Sequence, residues 1–152
     1  MSPISPGFGI LLTAETTEGV IYHAEALSQP AGDAQLAQPS TPEDIGKEAA
    51  SKLLNEIYRG GSVDSSTQAF ACLLMVLGQK DVSKLVIGPL SNYCMLMLRH
   101  IHTFFGVTFK LESLQNQLLT NEYEESDEDD RPEKLELICV GVGFVNLNKP
   151  LL

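Results

Sequence analysis

Two runs rich in β-branched and aliphatic residues open the chain, Phe8–Glu15 and Val20–Leu27, separated by Thr16-Thr17-Glu18-Gly19. Turn residues between two such runs predict a β-hairpin. In the second run Val20, Tyr22, Ala24 and Ala26 fall on one face, and Ile21, His23, Glu25 and Leu27 on the other. The Ala-, Gln-, Pro- and Gly-containing stretch 29–40 then reads as a linker. Thr41-Pro42-Glu43-Asp44 has the chemistry of a helix start: a hydroxyl cap, proline at the first helical position and acids at the positive dipole end. Ile45, Ala49, Leu53 and Ile57 recur every four residues, which predicts an amphipathic helix ending at Gly60-Gly61. Asp64 can cap a second helix, Ser65–Leu77, apolar on most sides and expected to be buried.

Past Gly78 the pattern switches back. Lys84–Gly88 reads as a short buried strand closed by Pro89, and Ser91 caps a third helix running to about Phe105. Val107–Leu111 and Leu135–Val145 are the remaining strand candidates. The predicted order is ββααβαββ. Helices alternating with strands, and hairpins at the ends, indicate a mixed-sheet α/β layer fold.

Charge divides the chain further. Twenty acids face ten bases in 152 residues, a net charge of −10. Eight of the acids and two of the bases lie in 121–134, which therefore carries −6. A block of like charge has no apolar face to bury, so a disordered loop is expected there, tethering two strands. Ser126, followed by Asp127-Glu128-Asp129, has surroundings that acid-directed kinases prefer. A net charge of −10 argues against a general phosphate-binding surface, since nucleic-acid affinity rests on cations displacing counterions. The longest apolar run, Ala69–Gly78, is about half of what a spanning helix needs, and Met1–Pro6 has no signal-peptide pattern. Cys72, Cys94 and Cys139 fit neither a disulfide framework nor a zinc site and read as reduced buried thiols.

Chemistry-bearing motifs are scarce. Gly7-Phe8-Gly9 and Gly141-Val142-Gly143 are glycine pairs inside strand patterns, not the three-glycine fingerprint of a nucleotide fold. Walker, Cys-x-x-Cys, His-Glu-x-x-His and Gly-x-Ser-x-Gly patterns do not occur. His23 and Glu25 are neighbours on one strand face, where polar positions on a half-exposed sheet explain them more simply than a catalytic pair. One cluster has the residues to touch RNA: Arg99, His100 and His102. Arg99 and His102 are three apart and share a helix face, whereas His100 and His102 do not. An imidazole beside a guanidinium can in principle move protons and hold a phosphate. A solvated polar helix edge accounts for the same residues.

A set of longer motifs adds a resemblance. Ser5-Pro6-Gly7-Phe8-Gly9, Ala14-Glu15-Thr16-Thr17, Ala24-Glu25-Ala26-Leu27, Pro42-Glu43-Asp44-Ile45-Gly46 and Glu56-Ile57-Tyr58-Arg59-Gly60-Gly61 resemble the C-terminal half of RNA 3′-terminal phosphate cyclases. Val63-Asp64-Ser65, Leu73-Leu74-Met75, the run Leu77–Lys84, Gly88-Pro89-Leu90-Ser91 and Val140-Gly141-Val142-Gly143-Phe144 are similar to the eukaryotic cyclase-like branch of that family. Together they cover most of the chain outside 31–40 and the acidic loop.

The resemblance implies a two-layer α/β sandwich of βαβαββ repeats, of which 1–152 would be the C-terminal part, with the N-terminal repeats and the smaller inserted domain absent. It also implies a chemistry and its loss. The family's cyclases use a histidine nucleophile in a stretch reading Ser-x-His-Thr-x-Thr-Asn. Here Ser91-Asn92-Tyr93-Cys94-Met95-Leu96-Met97 stands in that place, with Tyr93 at the histidine position. A phenol titrating near 10 is a poor substitute for an imidazole titrating near neutrality. The cyclases' Asp-Gln pair aligns with Ala69-Phe70. The implied protein is therefore a non-catalytic factor without a cofactor, acting in small-subunit pre-rRNA processing. Its implied setting is the nucleolar processome, with a large GTPase and the pre-ribosomal particle as partners and no membrane. The alternative is a pre-rRNA endonuclease with a site near Arg99 and His102. Strands cut from a larger sheet leave unpaired edges, so the chain alone is expected to be marginal or to associate.

Overall fold

The computed structural model describes residues 7–28, 41–114 and 132–145. It has the α/β composition expected, in two compact units, Met1–Tyr58 and Arg59–Leu152. The linker 29–40, Ser126 and the acidic run up to residue 131 lie outside the described residues. No described helix is long and apolar enough to cross a membrane.

The first unit is a hairpin and a helix. Strands β1 (Gly9–Glu15) and β2 (Ile21–Leu27) pair antiparallel, with Gly9 opposite Leu27 and Glu15 opposite Ile21. The turn closes through Thr16, whose backbone N–H and Oγ1 bond to the Val20 carbonyl and N–H at 2.8 and 3.0 Å. Gly19 adopts φ 82°, a conformation a side chain would resist. Tyr22, Ala24 and Ala26 are buried, as their alternation requires. Helix α1 (Pro42–Arg59) starts as its sequence demands: Thr41 Oγ1 accepts from the Asp44 N–H at 3.2 Å and donates to Asp44 Oδ2 at 2.8 Å. Ile45 and Ala49 pack with Ala26 and Leu12 into a small core. The stripe fades towards the helix end, where Ile57 is exposed.

The second unit carries the larger core. Helices α2 (Gln68–Leu77) and α3 (Asn92–Phe105) pack with a three-stranded sheet of order β3-β5-β4. Strand β3 (Val82–Ile87) runs antiparallel to β5 (Leu135–Val140), with Val82 opposite Val140 and Ile87 opposite Leu135. Strand β4 (Lys110–Ser113) pairs antiparallel with the other side of β5, Lys110 opposite Ile138. Ala69, Cys72 and Val76 of α2 meet Cys94 and Ile101 of α3 and Ile87, Leu137 and Cys139 of the sheet. All three cysteines are free and buried, with the Cys72 and Cys94 sulfurs 3.9 Å apart.

Four expectations about elements need correction. Helix α2 begins at Gln68 rather than Ser65, because the Asp64 carboxylate collects Ser66 Oγ, Thr67 Oγ1 and the Thr67 N–H into a tight turn that precedes the helix. Nor is α2 buried on most sides, since Phe70 and Leu74 are exposed. The fourth predicted strand is shifted: residues 107–109 lie outside the ladder, Phe109 turns into the core, and pairing starts at Lys110. The last strand stops at Val140 instead of Val145. Beyond it the N–H groups of Val142, Gly143 and Phe144 bond to the carbonyls of Val76, Gly78 and Leu77, which caps the end of α2. Gly141 permits this, since a Cβ there would collide with the Gln79 carbonyl.

Candidate functional site

Two places on the second unit carry the residues singled out by sequence, and both are set by α3. The first is its N-terminal turn. Ser91 is extended (φ −76°, ψ 151°) and its Oγ accepts from the Cys94 N–H at 3.2 Å, a capping arrangement as expected. Tyr93 stands on that first turn, 62% exposed. The loop Gly88–Ser91 that leads into it is pinned from behind by two residues that sequence reasoning missed. Gln68 is fully buried; its Nε2 donates to the Pro89 carbonyl at 3.2 Å and its Oε1 accepts from the Ser91 N–H at 3.0 Å. Arg59 donates from Nη2 to the same Pro89 carbonyl at 2.7 Å. Gly88 lies against the Arg59 and Gly60 carbonyls, where a Cβ would come within 2.6 and 2.8 Å. The arginine just before paired glycines was the signal available in the sequence.

The second place is the C-terminal half of α3. Leu98, Arg99, His102 and Thr103 turn to one side of the helix and face Val107, Thr108, Phe109 and Leu111 across a cleft of about 390 Å³. The floor is apolar. Arg99 supplies the cationic group, His102 an imidazole, Thr103 and Thr108 the hydroxyls, and none of the described residues that line the cleft is acidic. Thr108 Oγ1 and His102 Nδ1 are hydrogen bonded at 3.3 Å, which fixes the ring and leaves Nε2 as its other polar atom. Thr103 Oγ1 donates to the Arg99 carbonyl at 3.0 Å. The helix ends at Gly106 in the left-handed region (φ 66°), and this turn swings residues 107–109 back beneath α3 to close the cleft. The structure thus brings Arg99 and His102 together and leaves His100 exposed and outside the cleft.

Other candidates form no site. Glu25 is exposed on β2 while His23 is half-buried, and the Glu25 backbone carbonyl accepts from Lys52 Nζ at 3.2 Å. Among the described residues no group of His, Cys, Asp or Glu is arranged to hold a metal ion. Burial and the hydrogen bond with Cys94 push the Cys72 thiol upward, the hydrogen bond being the larger cause, and burial alone raises Cys139. Cys72 and Cys139 are therefore core thiols, not nucleophiles.

Comparison with known proteins bears on the whole chain. The family model for the RNA 3′-terminal phosphate cyclase insert domain matches residues 2–58. A probable RNA 3′-terminal phosphate cyclase-like protein of Drosophila melanogaster is 47% identical over 155 residues, covering 100% of this chain. The chain belongs to the RNA 3′-terminal phosphate cyclase-like family. The human RNA 3′-terminal phosphate cyclase-like protein is 47% identical over 147 residues, 97% of the chain. An rRNA processing protein of Schizosaccharomyces pombe is 32% identical over 147 residues, 95% of the chain. The chain spans 38%, 36% and 34% of the lengths of these three relatives.

One expectation drawn from the resemblance is overturned. The inserted domain is not absent: its family match, residues 2–58, coincides with the hairpin-and-helix unit that ends at Tyr58. Arg59–Leu152 is the part of this cyclase-like chain left to the repeat fold, and it carries both Tyr93 and the Arg99–His102 cleft.

Proposed function

We propose that this chain is part of a non-catalytic factor in small-subunit pre-rRNA processing, working in the nucleolus within the early processome. Its partners in this reading are a large nucleolar GTPase and the pre-ribosomal particle, with contact to pre-rRNA itself, and it takes no cofactor. Membership of the cyclase-like family and the name of the Schizosaccharomyces pombe relative, an rRNA processing protein, support the process. The single observation that carries the absence of cyclase chemistry is Tyr93: an exposed phenol stands where the family resemblance implies the nucleophilic histidine. Its neighbours Cys94, Leu96 and Met97 offer that position no polar partner of the cyclase kind. A phenol that stays protonated at neutral pH attacks a nucleoside triphosphate far less readily than an imidazole does.

Two measurements test this together. Depletion of the protein in cells should lengthen small-subunit pre-rRNA precursors, and Tyr93→Phe should restore processing as fully as wild type. Incubation of the purified protein with labelled ATP should leave no covalent label. Label on Tyr93, or loss of processing in the Tyr93→Phe cells, contradicts the non-catalytic reading.

A second reading is favoured by one observation, the shared cleft of Arg99 and His102. There the imidazole would take the 2′-hydroxyl proton and the guanidinium would hold the phosphate during pre-rRNA cleavage. Cleavage of a pre-rRNA substrate by wild type, abolished in Arg99→Ala/His102→Ala, is the outcome this reading requires. Equal cleavage by both, or none by either, removes it.

A further inference from the structure

We infer that the cleft between the C-terminal half of α3 and residues 107–111 is a receptor for one unpaired nucleotide of single-stranded RNA, its base on the apolar floor and its phosphate on Arg99 and His102. The inference deepens the reading of this protein as a factor acting on pre-rRNA and rests on it.

Size comes first. A volume of about 390 Å³ lies in the range of small-ligand pockets, roughly 300–1,000 Å³, and suits a single nucleotide rather than a duplex. Chemistry narrows the occupant. An unstacked base needs apolar walls to replace its lost stacking, and Leu98, Val107 and Phe109 provide them. The phosphate that accompanies every base needs cations at the rim, at a distance set by the sugar. Arg99 and His102 occupy one edge of the same cleft, one helical turn apart. Both are exposed, so the guanidinium charge and the imidazole nitrogen reach solvent and an incoming strand. No carboxylate among the described lining residues competes for them.

The rest of the molecule sharpens the choice. Two other cations of this unit are engaged by acids, Lys84 with Glu136 at 3.3 Å and Lys110 with Glu112, and a third, Arg59, is spent on the Pro89 carbonyl. Among the described residues Arg99 has no carboxylate partner, against a sequence in which acids outnumber bases two to one. A cation kept free of acids in so acidic a chain is placed for an anion brought from outside. The Thr108–His102 hydrogen bond orients the imidazole. Thr103 and Thr108 add hydroxyls of the kind that contact sugar and phosphate. A wholly apolar protein side chain would use the floor and leave this rim idle.

The test is equilibrium binding of the intact protein to a fluorescent single-stranded RNA of about ten nucleotides. Ultraviolet crosslinking and peptide mapping locate the contact. Wild type should bind the single strand and crosslink within residues 98–111. Arg99→Ala/His102→Ala should weaken binding about tenfold or more, the loss expected for one charge-assisted phosphate contact and one imidazole hydrogen bond, and flatten the salt dependence. His100→Ala, outside the cleft, should bind like wild type. Both substitutions are at exposed positions, and an unchanged melting temperature confirms that the fold is intact. Equal binding by wild type and the double variant overturns the inference. So does crosslinking elsewhere, a duplex bound as tightly as the single strand, or displacement of the RNA by an acidic peptide at equal concentration. Failure of the processing role is read separately, from precursor lengths after depletion. Normal precursors with intact cleft-dependent RNA binding refute that role and leave the receptor standing.

Discussion

Gln68 illustrates what one buried polar side chain does at this site. Both ends of its amide are used, on the Pro89 carbonyl and the Ser91 N–H, and so the loop leading into the turn with Tyr93 is fixed to α2 without a charge. Gln68→Ala leaves two backbone groups of that loop without these partners, at a cost of about 2 kcal/mol. Denaturant unfolding should show that loss of stability with an unchanged m-value. Gly106 is a simpler case. It sits at φ 66° with no atom within 4 Å of a built Cβ, so Gly106→Ala is penalised by backbone strain alone, about 1 kcal/mol. Residues of this kind are half legible beforehand. The glycine after a helix announces itself, and so does Ser91 as a cap. A glutamine at the start of an apolar helix announces nothing, because its two partners lie 21 and 23 residues away.

At the scale of elements, α3 holds the cleft only as well as its buried face holds the sheet. Ile101 is 1% exposed in the larger core, and Ile101→Ala should cost about 2–5 kcal/mol in unfolding free energy, enough to loosen the cleft. Strand β2 gives a pH dependence. Burial, and after it the Glu56 carboxylate, raise the Tyr22 phenol above its ordinary value of 10.0. The neutral ring is thus favoured in the folded state, and this stabilisation is complete below the ordinary value. It is lost as pH rises past about 10 and through the folded value, because the unfolded phenol ionises first. Alkaline unfolding of the protein should therefore steepen above pH 10, and Tyr22→Phe should remove that part of the slope. Element types followed from periodicity, since hydrophobic spacing and caps are local. The ends did not. Residues 107–109 have strand composition, yet Phe109 is drawn under α3, and 141–144 have strand composition, yet their N–H groups serve the end of α2.

The whole molecule is two small cores, and each leaves apolar surface uncovered. In the second unit Phe70, Leu74, Tyr93, Leu96 and Phe104 are all at least half exposed. Contiguous apolar surface on a small unit drives association. Light scattering of the 152-residue chain should show concentration-dependent self-association, reduced by Phe70→Lys/Leu74→Lys. A monomer at every concentration contradicts this.

The sequence by itself determined the element types, the hairpin, the caps at Thr41 and Ser91 and the family. All of these depend on residues close in the chain or on motifs read in order. Only the tertiary structure decided that Arg99 and His102 share a cleft while His100 does not, that Gln68 and Arg59 brace the Tyr93 loop, and where β5 ends. Those depend on which distant backbone groups must be satisfied and which side chains the sheet and helices enclose together. The boundary at Tyr58 needed the structure and the family match together, because helix α1 runs through it without a break and the two sides differ only in the cores they build.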